Sequence, residues 1–224
     1  YRKNIFFWFI CWLYMKLICF LENFSRKMVD IRLIRGEELY KRYLKFSKGY
    51  SYRMIPMTSI SYDDILEKQN VSDKMNDPVR LLFVGRLEVE NGLYDLLKAF
   101  DLLVDSFSNR IELWIVGEGS LASVIQNRIN DNKLSINLLG YVENGKSLIE
   151  IYRSCDILII PVLRSGLPRV LIEGMSQGLP IVATAVGGIP SIIQDNINGF
   201  LYEPGDIEKL IYAISQLITN HNLR

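Results

Sequence analysis

A chain of 224 residues, 49% of them hydrophobic, carries enough apolar material for one large or two small domains, which excludes disorder as its main state. Lys and Arg total 26 against 25 Asp and Glu, a net charge of +1, so no global basic surface argues for nucleic acid and any anion site must be local. Three Cys (Cys11, Cys19, Cys155), none in a CxxC pair, and the single His221 make neither a disulfide framework nor a zinc site; the expected setting is reducing and cytoplasmic. The chain begins at Tyr1, which leads to the expectation of a fragment or a processed product.

The first distinctive segment, residues 5–21 (IFFWFICWLYMKLICFL), is apolar except for Lys16. It is marginal in length for a membrane span and rich in aromatics that favour membrane interfaces. From Arg26 to Arg53 nine basic residues face three acidic ones, giving net +6, and an apolar run beside a basic stretch suits peripheral contact with an anionic membrane surface. The alternative is a buried helix followed by a solvated basic loop. No small-residue cleavage site follows the apolar run, which disfavours a signal peptide. Residues 71–78 (VSDKMNDP) are polar and end in Pro, the mark of a linker.

A regular alternation follows the linker. Short apolar runs at 80–85, 111–117, 135–140, 156–162, 180–184 and 199–202 predict strands. Between them, helical spacing predicts helices over 93–107, 120–131, 146–154 and 168–178, a short one over 189–194, and a last one opening with Asp206 as N-cap. Near-continuous apolar strands alternating with helices imply a parallel sheet covered on both faces, a Rossmann-like, doubly wound α/β domain.

In such sheets ligands bind beyond the carboxyl ends of the strands, so the strand-to-helix loops are where chemistry is expected. In the loop 85–92 (GRLEVENG), Arg86 follows a strand and precedes a helix, a setting that suits a phosphate, although Arg86 could equally cap a surface loop. The loop 117–120 (GEGS) offers Gly117 and Gly119 for close approach to a ligand, or simply for a tight turn. The segment 161–180 ends a strand, starts a helix near Pro168 and places Glu173 within it; a carboxylate there could accept from both ribose hydroxyls, with Gly166 and Leu167 amides facing phosphate or sugar, or be an ordinary helix residue. Neighbouring Leu171, Ile172 and Met175 imply that Glu173 is partly buried and therefore needs a partner. The loop 183–190 (ATAVGGIP) precedes a Pro-initiated helix and is an anion site or a tight turn.

Together these loops resemble glycosyltransferase family 4, the retaining, nucleotide-sugar-dependent enzymes of two-domain GT-B fold. The resemblance covers about residues 79–220 and rests on FVGRL (83–87), VGEG (116–119), LLGYV (138–142), CDILIIP (155–161), SGLPRVLIEGMSQGLPIVATAVGGIP (165–190) and NGFLYEPGD (198–206). It implies that residues 76–224 are a C-terminal nucleotide-sugar-binding domain cut short at its end, and that residues 1–75 are a remnant of the N-terminal acceptor domain and linker, with MIPMTSISYDDI (54–65) at the linker. It further implies a donor site at Gly85, Arg86, Asn91, Gly117, Gly119, Tyr141, Val142, Ser165, Gly166, Leu167, Pro168 and Glu173, in which Arg86 holds the diphosphate and Glu173 the ribose, with no metal or other cofactor. The partners implied are a nucleoside-diphosphate sugar and a saccharide or lipid-linked acceptor of surface polysaccharide assembly, with no nucleic acid; the location is cytoplasmic or peripheral at the membrane, and this fragment alone is expected to be inactive. Two positions depart from the family pattern: Ser165 stands where the first of two glutamates is usual, and Asn91 where Lys is common. Arg164 or Arg169 would be the replacement for that charge. These departures motivate a rival reading as a non-catalytic nucleotide-sugar-binding module. An epimerase or dinucleotide oxidoreductase fits less well, because GEGS lacks GxGxxG spacing.

Overall fold

The computed structural model describes residues 76–107, 110–130 and 135–220, with 16–17, 32–33, 52–53, 65 and 223 as isolated positions. Almost all of the apolar run, of the basic stretch and of the 54–65 segment, and most of the 71–78 linker, therefore lie outside the described residues. Two short strands, β1 (Arg32–Leu33) and β2 (Tyr52–Arg53), pair in parallel. Among the described residues no helix is long and apolar enough to cross a membrane.

The alternation read from the sequence builds one six-stranded sheet. Its elements are β3 (Val79–Val84), α1 (Leu93–Phe107), β4 (Ile111–Val116), α2 (Ala122–Asn130), β5 (Ile136–Gly140), α3 (Lys146–Ser154), β6 (Ile157–Ile160), α4 (Arg169–Ser176), β7 (Ile181–Thr184), β8 (Phe200–Tyr202) and α5 (Ile207–Thr219). All neighbouring strands pair in parallel, in the order β5-β4-β3-β6-β7-β8. The chain enters at the centre, winds outward to β5, then crosses to β6 and winds the other way. That is the Rossmann-like order, and its reversal falls between β3 and β6.

Side-chain alternation along the strands divides the core between the two faces. Leu81 and Phe83 of β3 join Leu113, Ile115, Ile157 and Ile159 beneath the buried sides of α1, α2 and α5. Leu82 joins Leu158, Ile160, Ile181 and Ala183 on the opposite face, beneath α3 and α4. Helix α1 buries Leu93, Leu96, Leu97, Phe100 and Leu103 at helical spacing, each contributing roughly 1.5–3 kcal/mol of apolar burial. At the start of α5 the Asp206 carboxylate accepts from the Lys209 amide at 2.9 Å, the expected N-cap.

Helix boundaries differ from the sequence-based expectation where turns consume residues. Helix α2 begins at Ala122 because the amide of Ala122 first closes a turn onto Gly119. The helix expected over 189–194 is a single 3-10 turn, Ile189–Ser191. A further 3-10 turn, Val89–Asn91, precedes α1.

A polar cluster anchors the amino ends of β3 and β6, opposite the strand ends where ligands bind. The Asp156 carboxylate accepts from the amides of Asn76 at 2.9 Å and Arg80 at 2.6 Å and from Asn76 Nδ2 at 3.0 Å. Arg80 in turn donates to Glu112 at 2.8 Å and lies over the Trp114 ring at 4.9 Å. Replacing Asp156 with Ala strands two backbone amides, and a loss of about 1–3 kcal/mol is expected in urea unfolding, without a change in denaturant slope. A loss under about 0.5 kcal/mol would show that water replaces the carboxylate.

Candidate functional site

The carboxyl ends of β3 and β6 diverge at the topological reversal and leave a cleft of about 160 Å³. One wall is Phe83, Val84, Gly85, Arg86 and Asn91; the other is Ile159 to Val162, with Ser165, Pro168 and Val170 above. Five residues expected of a donor site, Gly85, Arg86, Asn91, Ser165 and Pro168, thus line one space.

The walls are held close by backbone contacts. The Leu163 amide donates to the Glu90 carbonyl at 2.9 Å across the two loops. At Gly92, φ is 72° and a Cβ would stand 1.7 Å from the Pro161 carbonyl oxygen, so glycine serves both the left-handed turn and the approach of β6. The Gly92 carbonyl also accepts from the Leu96 amide, so this residue launches α1.

Arg86 is exposed, and its guanidinium makes no hydrogen bond or ion pair among the described residues. Asn91 is committed differently: its side-chain amide donates to the Arg86 carbonyl at 2.6 Å and so braces the loop that presents Arg86. Arg164 and Arg169 are exposed near the cleft but are not among its lining residues. Helix α4 starts after Pro168 without a side-chain cap, and the amides of Arg169 and Val170 find no acceptor among the described residues. An unpaired guanidinium and an uncapped helix start facing one cleft form a compact positive site.

Gly117 and Gly119 do not line the cleft. A Cβ at Gly117 would meet the Gly85 carbonyl oxygen at 1.8 Å, and one at Gly119 the Leu87 carbonyl oxygen at 2.5 Å. The close approach at these glycines is therefore made by the neighbouring loop of the protein itself. Glu88, which no motif in the sequence singles out, completes the seal: its carboxylate accepts from the Ser120 amide at 3.0 Å and the Ser120 hydroxyl at 2.6 Å. Those two bonds hold its carboxyl below the usual carboxylate range, with Arg86 adding to the effect.

The remaining expected residues are placed apart from the cleft wall. Tyr141 is 68% exposed beyond β5, and Val142 packs against the core cluster under α3 and α4. Leu167 is buried in that same cluster. The Gly166 carbonyl accepts from the Gly188 amide, which ties the 161–168 segment to the 183–190 loop. That loop leads into a single 3-10 turn, so the helix start expected near residue 188 is not formed. Glu173 lies on α4 and is 5% exposed, more deeply buried than expected. Its partner is Tyr152 of α3, whose hydroxyl donates to Oε2 at 2.9 Å. A tyrosine on an amphipathic helix reads as core in the sequence, and nothing in its spacing announces a carboxylate 21 residues away.

Comparison with known proteins identifies the fold and the class. Residues 78–220 match the family described as glycosyl transferases group 1, and the chain belongs to that family. It is 32% identical over 164 residues to the amylovoran biosynthesis glycosyltransferase AmsK of Erwinia amylovora, covering 67% of this chain and 39% of the relative. Over 213 residues it is 26% identical to a Campylobacter jejuni α-1,4-N-acetyl-D-galactosaminyltransferase whose name specifies a diphospho-undecaprenol-linked saccharide, covering 93% of this chain and 56% of that protein. The pneumococcal O-GlcNAc transferase GtfA, solved with UDP and GlcNAc, superposes with a TM-score of 0.73 at 20% identity, covering 91% of this chain and 41% of that one. The chain spans about two fifths of the length of the first three curated relatives it matches.

Proposed function

We propose that residues 76–224 are the donor-binding domain of a retaining glycosyltransferase that uses a nucleoside-diphosphate sugar. The observation that carries the reading is the cleft between β3 and β6, where the unpaired Arg86 and the uncapped start of α4 converge. Transfer leaves charge on a departing diphosphate, and preorganised donors at that point favour the charge-separated transition state. Arg86 and the Arg169 and Val170 amides would supply the positive charge, so the proposed donor site needs no metal. Glu173 would orient the nucleotide through ribose rather than transfer a proton. Retention rests on the resemblance to glycosyltransferase family 4.

The acceptor reading is a saccharide carried on a lipid, in surface polysaccharide assembly. It is supported by the amylovoran relative, by the undecaprenol-linked substrate named for the Campylobacter enzyme, and by the apolar and basic segments at 5–21 and 26–53. In this reading residues 1–75 belong to the acceptor side and the protein works at the cytoplasmic face of a membrane. Ser165 and the committed Asn91 favour one rival, a module that binds a nucleotide sugar without transferring it.

Calorimetric titration of the folded chain with UDP, GDP and ADP, each with and without an attached sugar, tests the donor reading. Binding of one diphosphate in preference to the others is expected and names the base. A folded chain that binds none of them would overturn it.

A further inference from the structure

We infer that Tyr152 is a positioning residue of the donor site: its hydroxyl commits one oxygen of Glu173 inside the protein and leaves the other as a single, oriented acceptor for a ribose hydroxyl. The inference rests on the donor reading above and sharpens it, because the sequence alone suggested a carboxylate free to engage both ribose hydroxyls.

Both groups are deeply buried, Tyr152 at 1% and Glu173 at 5% exposure, and they meet from different helices. A carboxylate taken from water needs a donor, and among the described residues Tyr152 is the partner that Glu173 has. Burial and the adjacent carboxylate both push the phenol far above its ordinary range, so it remains a donor throughout working pH. The second oxygen, Oε1, accepts no hydrogen bond among the described residues. Glu173 lies three residues beyond Val170, which lines the cleft, and i, i+3 positions share a helix face. The arrangement therefore places a carboxylate with one tethered and one open oxygen a single helical turn from the positive site. Without the tether the carboxylate can rotate or draw in water, and the ordering of its open oxygen is lost.

The test compares wild type, Tyr152→Phe and Glu173→Gln by titration with UDP (or whichever diphosphate binds) and with its 2′-deoxy and 3′-deoxy forms. Thermal unfolding checks that each variant is folded, and Tyr152→Met provides a second variant that lacks a donor but keeps an adaptable apolar side chain. Wild type is expected to prefer the ribonucleotide over one deoxy form by about tenfold, and the tyrosine variants to retain less than about threefold of that preference. Tyrosine variants that keep the full preference while Glu173→Gln loses it would overturn the role of Tyr152 and leave the ribose reading intact. If Glu173→Gln also keeps it, the ribose assignment of Glu173 fails, and the tether falls with it. Failure of both tyrosine variants to fold would make the tyrosine purely structural and likewise overturn the proposal, as would a folded wild type that binds no diphosphate.

Discussion

Replacing Arg86 with Ala is expected to weaken nucleoside-diphosphate binding roughly tenfold to a hundredfold while leaving binding of the corresponding nucleoside almost unchanged. A charge-assisted hydrogen bond contributes about 1.5–3 kcal/mol, which corresponds to that range of affinity. The guanidinium makes no hydrogen bond or ion pair among the described residues, so its removal breaks none there and stability should change by less than about 0.5 kcal/mol. The Arg169 and Val170 amides remain in place, which is why residual affinity is expected rather than none. The nucleoside arm decides the assignment. Equal loss of nucleoside and diphosphate binding would mean that Arg86 shapes the cleft generally and does not hold phosphate. Raising salt should weaken diphosphate binding to wild type more than to the variant, since one exposed charge is missing from the latter.

The fold was largely legible because its strands are buried on both faces. Ile157–Ile160 and Ile181–Thr184 are buried at every position, so the first appears in the sequence as an uninterrupted apolar run and the second as one closed by Thr184. Helix α1 matched its expected 93–107 span because Leu93, Leu96, Leu97, Phe100 and Leu103 repeat without a break. The short helix expected over 189–194 failed for a local reason: after Pro190 the backbone closes one 3-10 turn and then commits residues 194–199 to turn bonds, including Gln194 with Asn198. Three or four residues carry too little periodicity to separate that turn from a helix start.

The site was legible in part. Arg86, Asn91, Ser165 and Pro168 come from loops that follow strands, and topology alone brings such loops to one end of the sheet. Distinguishing which glycines face a ligand and which face another loop was beyond sequence reasoning. Gly117 and Gly119 look like ligand-facing glycines, yet their free space is filled by the carbonyls of Gly85 and Leu87. The Glu88–Ser120 and Tyr152–Glu173 pairs join residues 32 and 21 apart. Each requires two loops or two helices to be in register, information that single-chain spacing does not carry. These two pairs nevertheless bear on the proposed chemistry, one by sealing the loop that carries Arg86 and the other by orienting Glu173.

The second large effect concerns how tightly the two walls of the cleft are drawn together, and a pair of glycines isolates it. Gly92 and Gly140 share nearly the same positive φ, 72° and 68°, but a Cβ at Gly92 would stand 1.7 Å from the Pro161 carbonyl oxygen whereas one at Gly140 meets nothing within 4 Å. Gly140→Ala is expected to cost only the left-handed strain, about 1 kcal/mol. Gly92→Ala carries the same strain and must also push the 85–92 loop away from the end of β6, for a total on the order of 3 kcal/mol. The displacement opposes the bond from the Leu163 amide to the Glu90 carbonyl and moves the loop that Asn91 braces through the Arg86 carbonyl. Diphosphate affinity should therefore fall along with stability in Gly92→Ala, and remain near wild type in Gly140→Ala. Urea unfolding of the two variants gives the difference directly, and titration at a temperature where both are folded gives the binding arm. Equal destabilisation by both substitutions would show that the close approach of the β3 loop to β6 imposes no constraint. In that event the cleft would open freely, and the convergence of Arg86 with the start of α4 would not be enforced by the fold.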